Sequence, residues 1–257
     1  MPPSTSIEEA ARLICGEPAP VLFLDACALL DILRVASIRD DATPARAILA
    51  ANEILERINS NPRTSWLLCA ALVEVEWKDN VERVMNEITN HVRQVDRSIE
   101  RLHTAVRAIP SIVADIKTGE MRGLAAGLRA PQFGSLALPT KLFEIAEKLM
   151  ASALWLAADE QVLNAANARS MQALKPASVG KRERGDCQII ETYFALCRAL
   201  RAGHFAESCI FVSSNKTDFF GEGSPMRPHE DLAGACSAVG LQFVQEFSHA
   251  LSILYPT

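Results

Sequence analysis

Apolar residues in this chain follow two rhythms, and the two alternate along its length. Short unbroken runs stand at 21–24 (VLFL), 65–69 (SWLLC), 209–212 (CIFV) and 241–244 (LQFV). Their length and continuity are those of strands buried on both faces of a sheet. Between them the apolar positions recur at three and four. Residues 6–15 predict a short helix with Ser6 as its cap and Glu8 and Glu9 in its first turn. A helix follows residue 25 to about residue 37, and Thr43-Pro44 opens another that runs to about 58.

The most regular stretch begins at Val81. Met85, Ile88, Val92, Val95, Ile99, Leu102, Val106 and Ile109 continue it at alternating steps of four and three. This heptad seam predicts one long helix over about 70–109, stopped or kinked by Pro110. A further helical stretch is expected over 111–129 and a loop over 130–139. An alanine-rich helix is expected over 141–168, with Leu142, Ile145, Leu149, Ala153, Leu156 and Leu163 on one side. A helix from Gly185 is closed by Gly203 as its C′ residue, and a last helix covers 246–254. Strands alternating with helices define an α/β chain with a parallel sheet. The long seam needs cover, from an antiparallel hairpin with the 141–168 helix or from a second copy of the chain. Its opposite face carries Arg83, Arg93, Arg97 and Arg101. These form either a track for nucleic acid or a solvated face, since Glu87 and Glu100 lie nearby.

Composition narrows the function classes. The 257 residues are 49% hydrophobic and 22% charged, ordinary values for a globular protein. A net charge of -5 argues against bulk electrostatic binding of nucleic acid, though not against an enzyme that meets phosphates through a metal ion. The seven cysteines form no CxxC pair and the five histidines no zinc spacing. Free thiols, with neither a signal peptide nor a membrane span in the sequence, give the expectation of a cytoplasmic protein.

Acidic or amide residues stand where the apolar runs end or the next helices begin: Asp25, Glu74 or Glu76, Asp186, and Asn215 with Asp218. In an open parallel sheet such ends lie along one edge, where ligands bind. Each has a plainer reading, Asp25 and Asp186 as helix starts and Asn215 with Asp218 as a turn. Converging carboxylates repel, by about 4 kcal/mol for a pair ~4 Å apart at an effective dielectric near 20. A hard divalent cation among them reverses the balance. Glu74 and Glu76 are two apart, so only one faces the cleft; the spacing from the strand favours Glu74. A HAD-type phosphatase needs an Asp two residues after the first, where this chain has Cys27.

Taken in order, VLFLDACALLDI, ALVEVEW, RGDCQIIETYFAL and FVSSNKTDF resemble the motifs of PIN-domain nucleases, in the PIN-like branch with a helical insertion. The resemblance covers about 18–80 and 178–245. It implies a three-layer α/β/α fold with a central, mostly parallel sheet of four or five strands. It also implies one PIN-like domain over 1–257, with core segments at about 18–80 and 178–257 and a helical insertion over about 81–177. The implied activity is hydrolysis of single-stranded RNA with Mg²⁺ or Mn²⁺. Asp25, Glu74, Asp186 and Asp218 would be catalytic, with Asn215 joining them as metal ligands. Ser213, Lys181, Arg182 and Arg184 would contact substrate. A role as the toxin or effector of a defence or toxin–antitoxin pair, with an inhibitory partner protein, is compatible with this. The alternative is a catalytically weak or inactive PIN-like module for RNA binding or assembly, with Asn215 as its mark.

Overall fold

A computed structural model describes residues 3–35, 43–108, 137–178, 184–221 and 227–255. The four apolar runs form β1 (Val21–Leu24), β2 (Trp66–Ala70), β4 (Cys209–Val212) and β5 (Leu241–Val244). A fifth strand, β3 (Leu154–Leu156), completes an all-parallel sheet in the order β3-β2-β1-β4-β5. The strands are short because each is flanked at once by helix or turn. All four residues of β1 and all five of β2 are buried, as central parallel strands require. Register sets Phe23, Phe211 and Phe243 side by side across β1, β4 and β5.

The described helices are α1 (Ile7–Gly16), α2 (Ala26–Arg34), α3 (Thr43–Ile58), α4 (Ala71–Ala108), α5 (Ala137–Ser152), α6 (Glu160–Met171), α7 (Arg184–Ala202), α8 (Lys216–Phe219), α9 (Glu230–Val239) and α10 (Phe247–Leu254). On one face α2 packs with α3, α4 and α5, and α10 packs on α3. On the other, α1, α6 and α9 pack around α7. Tyr193 of α7 packs with tilted rings against Phe23, at 4.6 Å between centroids, and Phe211, at 5.4 Å, which seats α7 over the aromatic row. Among the described residues no helix is long and apolar enough to cross a membrane.

Three expectations are corrected. The helix expected over 141–168 is helix, strand, helix: α5 ends at Ser152, and Leu154–Leu156 pairs with Leu68–Ala70. That strand's outer side is met in turn by Thr5, whose N–H donates to the Trp155 carbonyl. The hairpin on the long seam does not form as drawn. α5 packs mainly on α2 and α3, and meets α4 through the stacked pair Trp77 and Phe143. Gly203 keeps a helical bond to the Ala199 carbonyl, and the left-handed residue that ends α7 is His204, φ 60°. The long helix itself is present over Ala71–Ala108. The Pro110 kink and the 111–129 stretch lie outside the described residues, as does most of the expected 130–139 loop.

A candidate carboxylate metal site

The strand order reverses between β1 and β4: the chain moves outward from β1 to β3, then crosses to β4 and moves outward again. The crevice beyond the carboxyl ends of such a pair is the ligand position of open α/β sheets. Asp25 and Ser213 are the residues that follow β1 and β4 there. The Asp25 N–H donates to the Val212 carbonyl at 3.1 Å, which carries the sheet ladder one residue past β1. Ser213 Oγ donates to Asp25 Oδ2 at 2.6 Å, across the switch point. The same Oγ accepts the Asn215 N–H at 3.2 Å, so a tight turn holds the hydroxyl in place.

Asp25 is 1% exposed. It occupies the N-cap position of α2 with extended backbone, yet its side chain makes no cap hydrogen bond. Its Oδ1 is buried without any partner. An acceptor left unmade in the interior costs about 1–3 kcal/mol, so capping does not account for this residue. Burial pushes its pKa above the usual 3.8; the Ser213 hydroxyl and the nearby amides of Ala26 and Cys27 offset part of that rise. Cys27 stands in the same field. Burial first, then Asp25 and Asp186, push its thiol pKa up and keep it neutral.

Two other half-buried acids join Asp25. Asp25, Glu76 and Asp186 each offer one oxygen, and these oxygens lie within 4.8 Å of one another. Asp186 is in the first turn of α7, so two helix N-termini, those of α2 and α7, converge on the group. Glu76 arrives from α4. Gly185 leaves room for the Glu76 carboxylate where α4 meets α7: a Cβ there would stand 2.8 Å from Glu76 Oε1 and 3.5 Å from Leu72. Tyr193 links the carboxyl ends of the paired strands β1 and β2: its hydroxyl donates to the Leu24 carbonyl at 2.5 Å and accepts the Ala70 N–H at 3.0 Å. A single helix, α7, thus supplies one acid, the glycine that admits the second and the hydroxyl that ties the strand end bearing the first.

The sequence preference for Glu74 therefore gives way to Glu76. Glu74 accepts a 2.6 Å hydrogen bond from Lys78, one turn along α4. Asp218 is buried, but it lies outside the three-carboxylate group and faces Lys175 at 3.4 Å, whose ammonium also donates to the Thr217 carbonyl. Lys175 N–H donates in turn to Asp231, so this network binds the loop before α7 to α8 and α9. Asn215 is the N-cap residue of α8 and makes no side-chain cap bond. Ser213 serves Asp25. Arg184 is exposed at the first position of α7, next to Gly185 and Asp186. Lys181 and Arg182 lie outside the described residues.

Three converging carboxylates, one of them with an orphaned buried oxygen, form a donor set suited to a hard divalent cation such as Mg²⁺ or Mn²⁺. Sequence reasoning weighed Glu76 second and missed Gly185 and Tyr193. The signal for Gly185 was present in its place directly before Asp186. No protein-family model, no curated protein and no solved structure matches this chain.

Proposed function

We propose that this chain is a metal-dependent phosphodiesterase that hydrolyses single-stranded RNA. The observation that carries the reading is the group formed by buried Asp25, whose Oδ1 has no hydrogen-bond partner, with Glu76 and Asp186, one oxygen of each lying within 4.8 Å of the others. Asp25, Glu76 and Asp186 would hold Mg²⁺ or Mn²⁺, which supplies a Lewis acid and lowers the pKa of water at the site. Ser213 keeps Asp25 oriented, and its hydrogen bond favours the ionised form that a cation needs. The N-termini of α2 and α7 direct unpaired amides and partial positive charge at the position a phosphate would take. Arg184 at the mouth of α7 adds a full charge for a flanking phosphate.

The resemblance of four ordered motifs to PIN-domain nucleases supports this reading and suggests RNA as the substrate. The Lys175 partnership of Asp218 favours one ion over two, because it leaves three acids, not four, at the switch point. The test is cleavage of single-stranded RNA and DNA in Mn²⁺, in Mg²⁺ and in EDTA, with Asp25→Asn alongside. Cleavage that requires the ion and disappears in the variant is the expected result. A wild-type protein inert on both polymers with either ion refutes the reading.

A further inference from the structure

We propose that the distal half of α4 is a track that binds the backbone of a single nucleic-acid strand and leads it to the carboxylate site. The inference rests on the phosphodiesterase reading and names how that substrate is held. α4 spans 38 residues, Ala71–Ala108, and extends ~48 Å beyond Glu76 at the helical rise. Its buried side chains, Val73, Trp77, Val84 and Ile88, all lie in the near half. Beyond Ile88 no described side chain of α4 is buried, and Val95, on the apolar seam, is 41% exposed.

Charge divides along the same line. The near half carries Glu74, Glu76, Asp79, Glu82 and Glu87 against Lys78 and Arg83, and Arg83 is tied to Glu87 at 2.6 Å. The far half, 91–108, carries Arg93, Arg97, Arg101 and Arg107 against Asp96 and Glu100. Arg93, Arg97 and Arg101 are exposed. Asp96 and Glu100 are within helical reach of them, yet among the described residues none of the three arginines forms an ion pair.

Two ordinary explanations fall short. The helix dipole favours cations only in the last turn, whereas Arg93 is about four turns from the end of α4. Like charges four apart weaken a helix, so the row does not exist to stabilise it. At about 100° per residue, Arg97 and Arg101 fall within about 60° of the direction of Glu76, and Arg93 flanks them on the same side. Each four-residue step advances ~6 Å, comparable with the separation of neighbouring phosphates on an extended strand. Residues 91–108 contain no Phe, Tyr or Trp on which bases would stack. The track reads phosphates, and RNA and single-stranded DNA should bind it alike.

Arg101 is ~38 Å along the helix from Glu76, so a strand extended at the same ~6 Å step spans the two with about six or seven nucleotides, and one of about 4 does not. The test compares fluorescent oligouridylates of about 30 and about 4 nucleotides, and a DNA strand of the longer length, binding wild type and Arg93→Gln/Arg97→Gln/Arg101→Gln in Ca²⁺. The variant should lose about tenfold or more in affinity for the long strands. The slope of log affinity against log salt should become shallower by about 2, three phosphates at ~0.7 each. Binding of the short strand should not change. Single Arg97→Gln and Arg101→Gln variants, each lowering the slope by about 0.7, serve if the triple variant misfolds. Unchanged affinity and slope overturn the track even if wild type cleaves RNA in Mn²⁺. An arginine-dependent slope in a protein that cleaves nothing upholds the track and refutes the hydrolase reading. A variant that changes sedimentation while binding oligonucleotides normally would mark a contact with a second copy, and would also overturn it.

Discussion

Replacing Asp25 by asparagine should stabilise the metal-free protein and abolish the stabilisation that Mn²⁺ gives. The variant keeps an oxygen for the Ser213 hydroxyl, which donates to Asp25 Oδ2 at 2.6 Å. It replaces the orphaned Oδ1 with an amide that can donate to Glu76 or Asp186, and it removes a charge from a group whose oxygens lie within 4.8 Å. At that separation an ionised pair repels by about 3 kcal/mol at an effective dielectric near 20. Glu76 and Asp186 are partly exposed and screened by water, so a net gain of about 1–2 kcal/mol is expected. For a domain of this size that is about 2–8 °C in melting temperature. Burial raises the Asp25 pKa, so the folded chain releases this proton at higher pH than the unfolded chain. Its contribution to stability is complete below the usual carboxylate pKa and is lost as pH rises through the folded value. The advantage of asparagine in EDTA should therefore be small in acid and grow with pH. With Mn²⁺ at about a hundred times its dissociation constant, wild type should gain about 2.7 kcal/mol and overtake the variant. Melting curves of both proteins in EDTA and in Mn²⁺ read the crossover directly. A variant destabilised in EDTA, together with a wild type indifferent to Mn²⁺, would make Asp25 a structural residue and refute the site.

Glu76→Gln should remove the Mn²⁺-dependent rise in melting temperature. Glu74→Gln should keep it and cost at most about 0.5 kcal/mol for the pair with exposed Lys78. Ser213→Ala should cost about 1–3 kcal/mol. It should also move the pH dependence of Mn²⁺ affinity, followed by calorimetric titration, to the alkaline side, because the Ser213 bond lowers the Asp25 pKa. Gly185→Ala should weaken Mn²⁺ binding about tenfold or more, since its Cβ would stand 2.8 Å from Glu76 Oε1. A variant with unchanged affinity would show that the Glu76 carboxylate has room to shift.

The strands legible in the sequence were those that fill a short apolar run. VLFL, SWLLC, CIFV and LQFV are each bounded by turn or helix signals and need no tertiary knowledge, although Gln242 in the last is exposed. Leu154–Leu156 was hidden because three residues do not interrupt a helical spacing, and Leu149, Leu156 and Leu163 continue it at sevens. What makes it a strand is pairing with Leu68–Ala70, a contact that local pattern does not carry. α9 went unread although His229 caps it and Gly240, at φ 65°, ends it; Leu232, Cys236 and Val239 alone make a weak stripe. Asp25 and Asp186 were legible because strand ends and helix starts locate them. The choice between Glu74 and Glu76 was not, since it depends on which side of α4 meets Gly185. Asp218 looked like a ligand by spacing, and only the fold brings Lys175 to it from 43 residues away.

The hydroxyl of Tyr193 reaches back 169 positions to Leu24 and 123 to Ala70. Contacts of such separation form late, because a long loop must close before they stabilise anything. A chain still emerging from the ribosome, complete to about residue 180, already holds Asp25 and Glu76. It lacks the helix whose Tyr193 links the ends of β1 and β2, and with it the third acid of the carboxylate group. Synthesis at about 5–20 residues per second leaves that state open for seconds. If this chain does hydrolyse RNA, it is harmless to its own message during that interval. The activity would switch on in one cooperative step, when α7 docks.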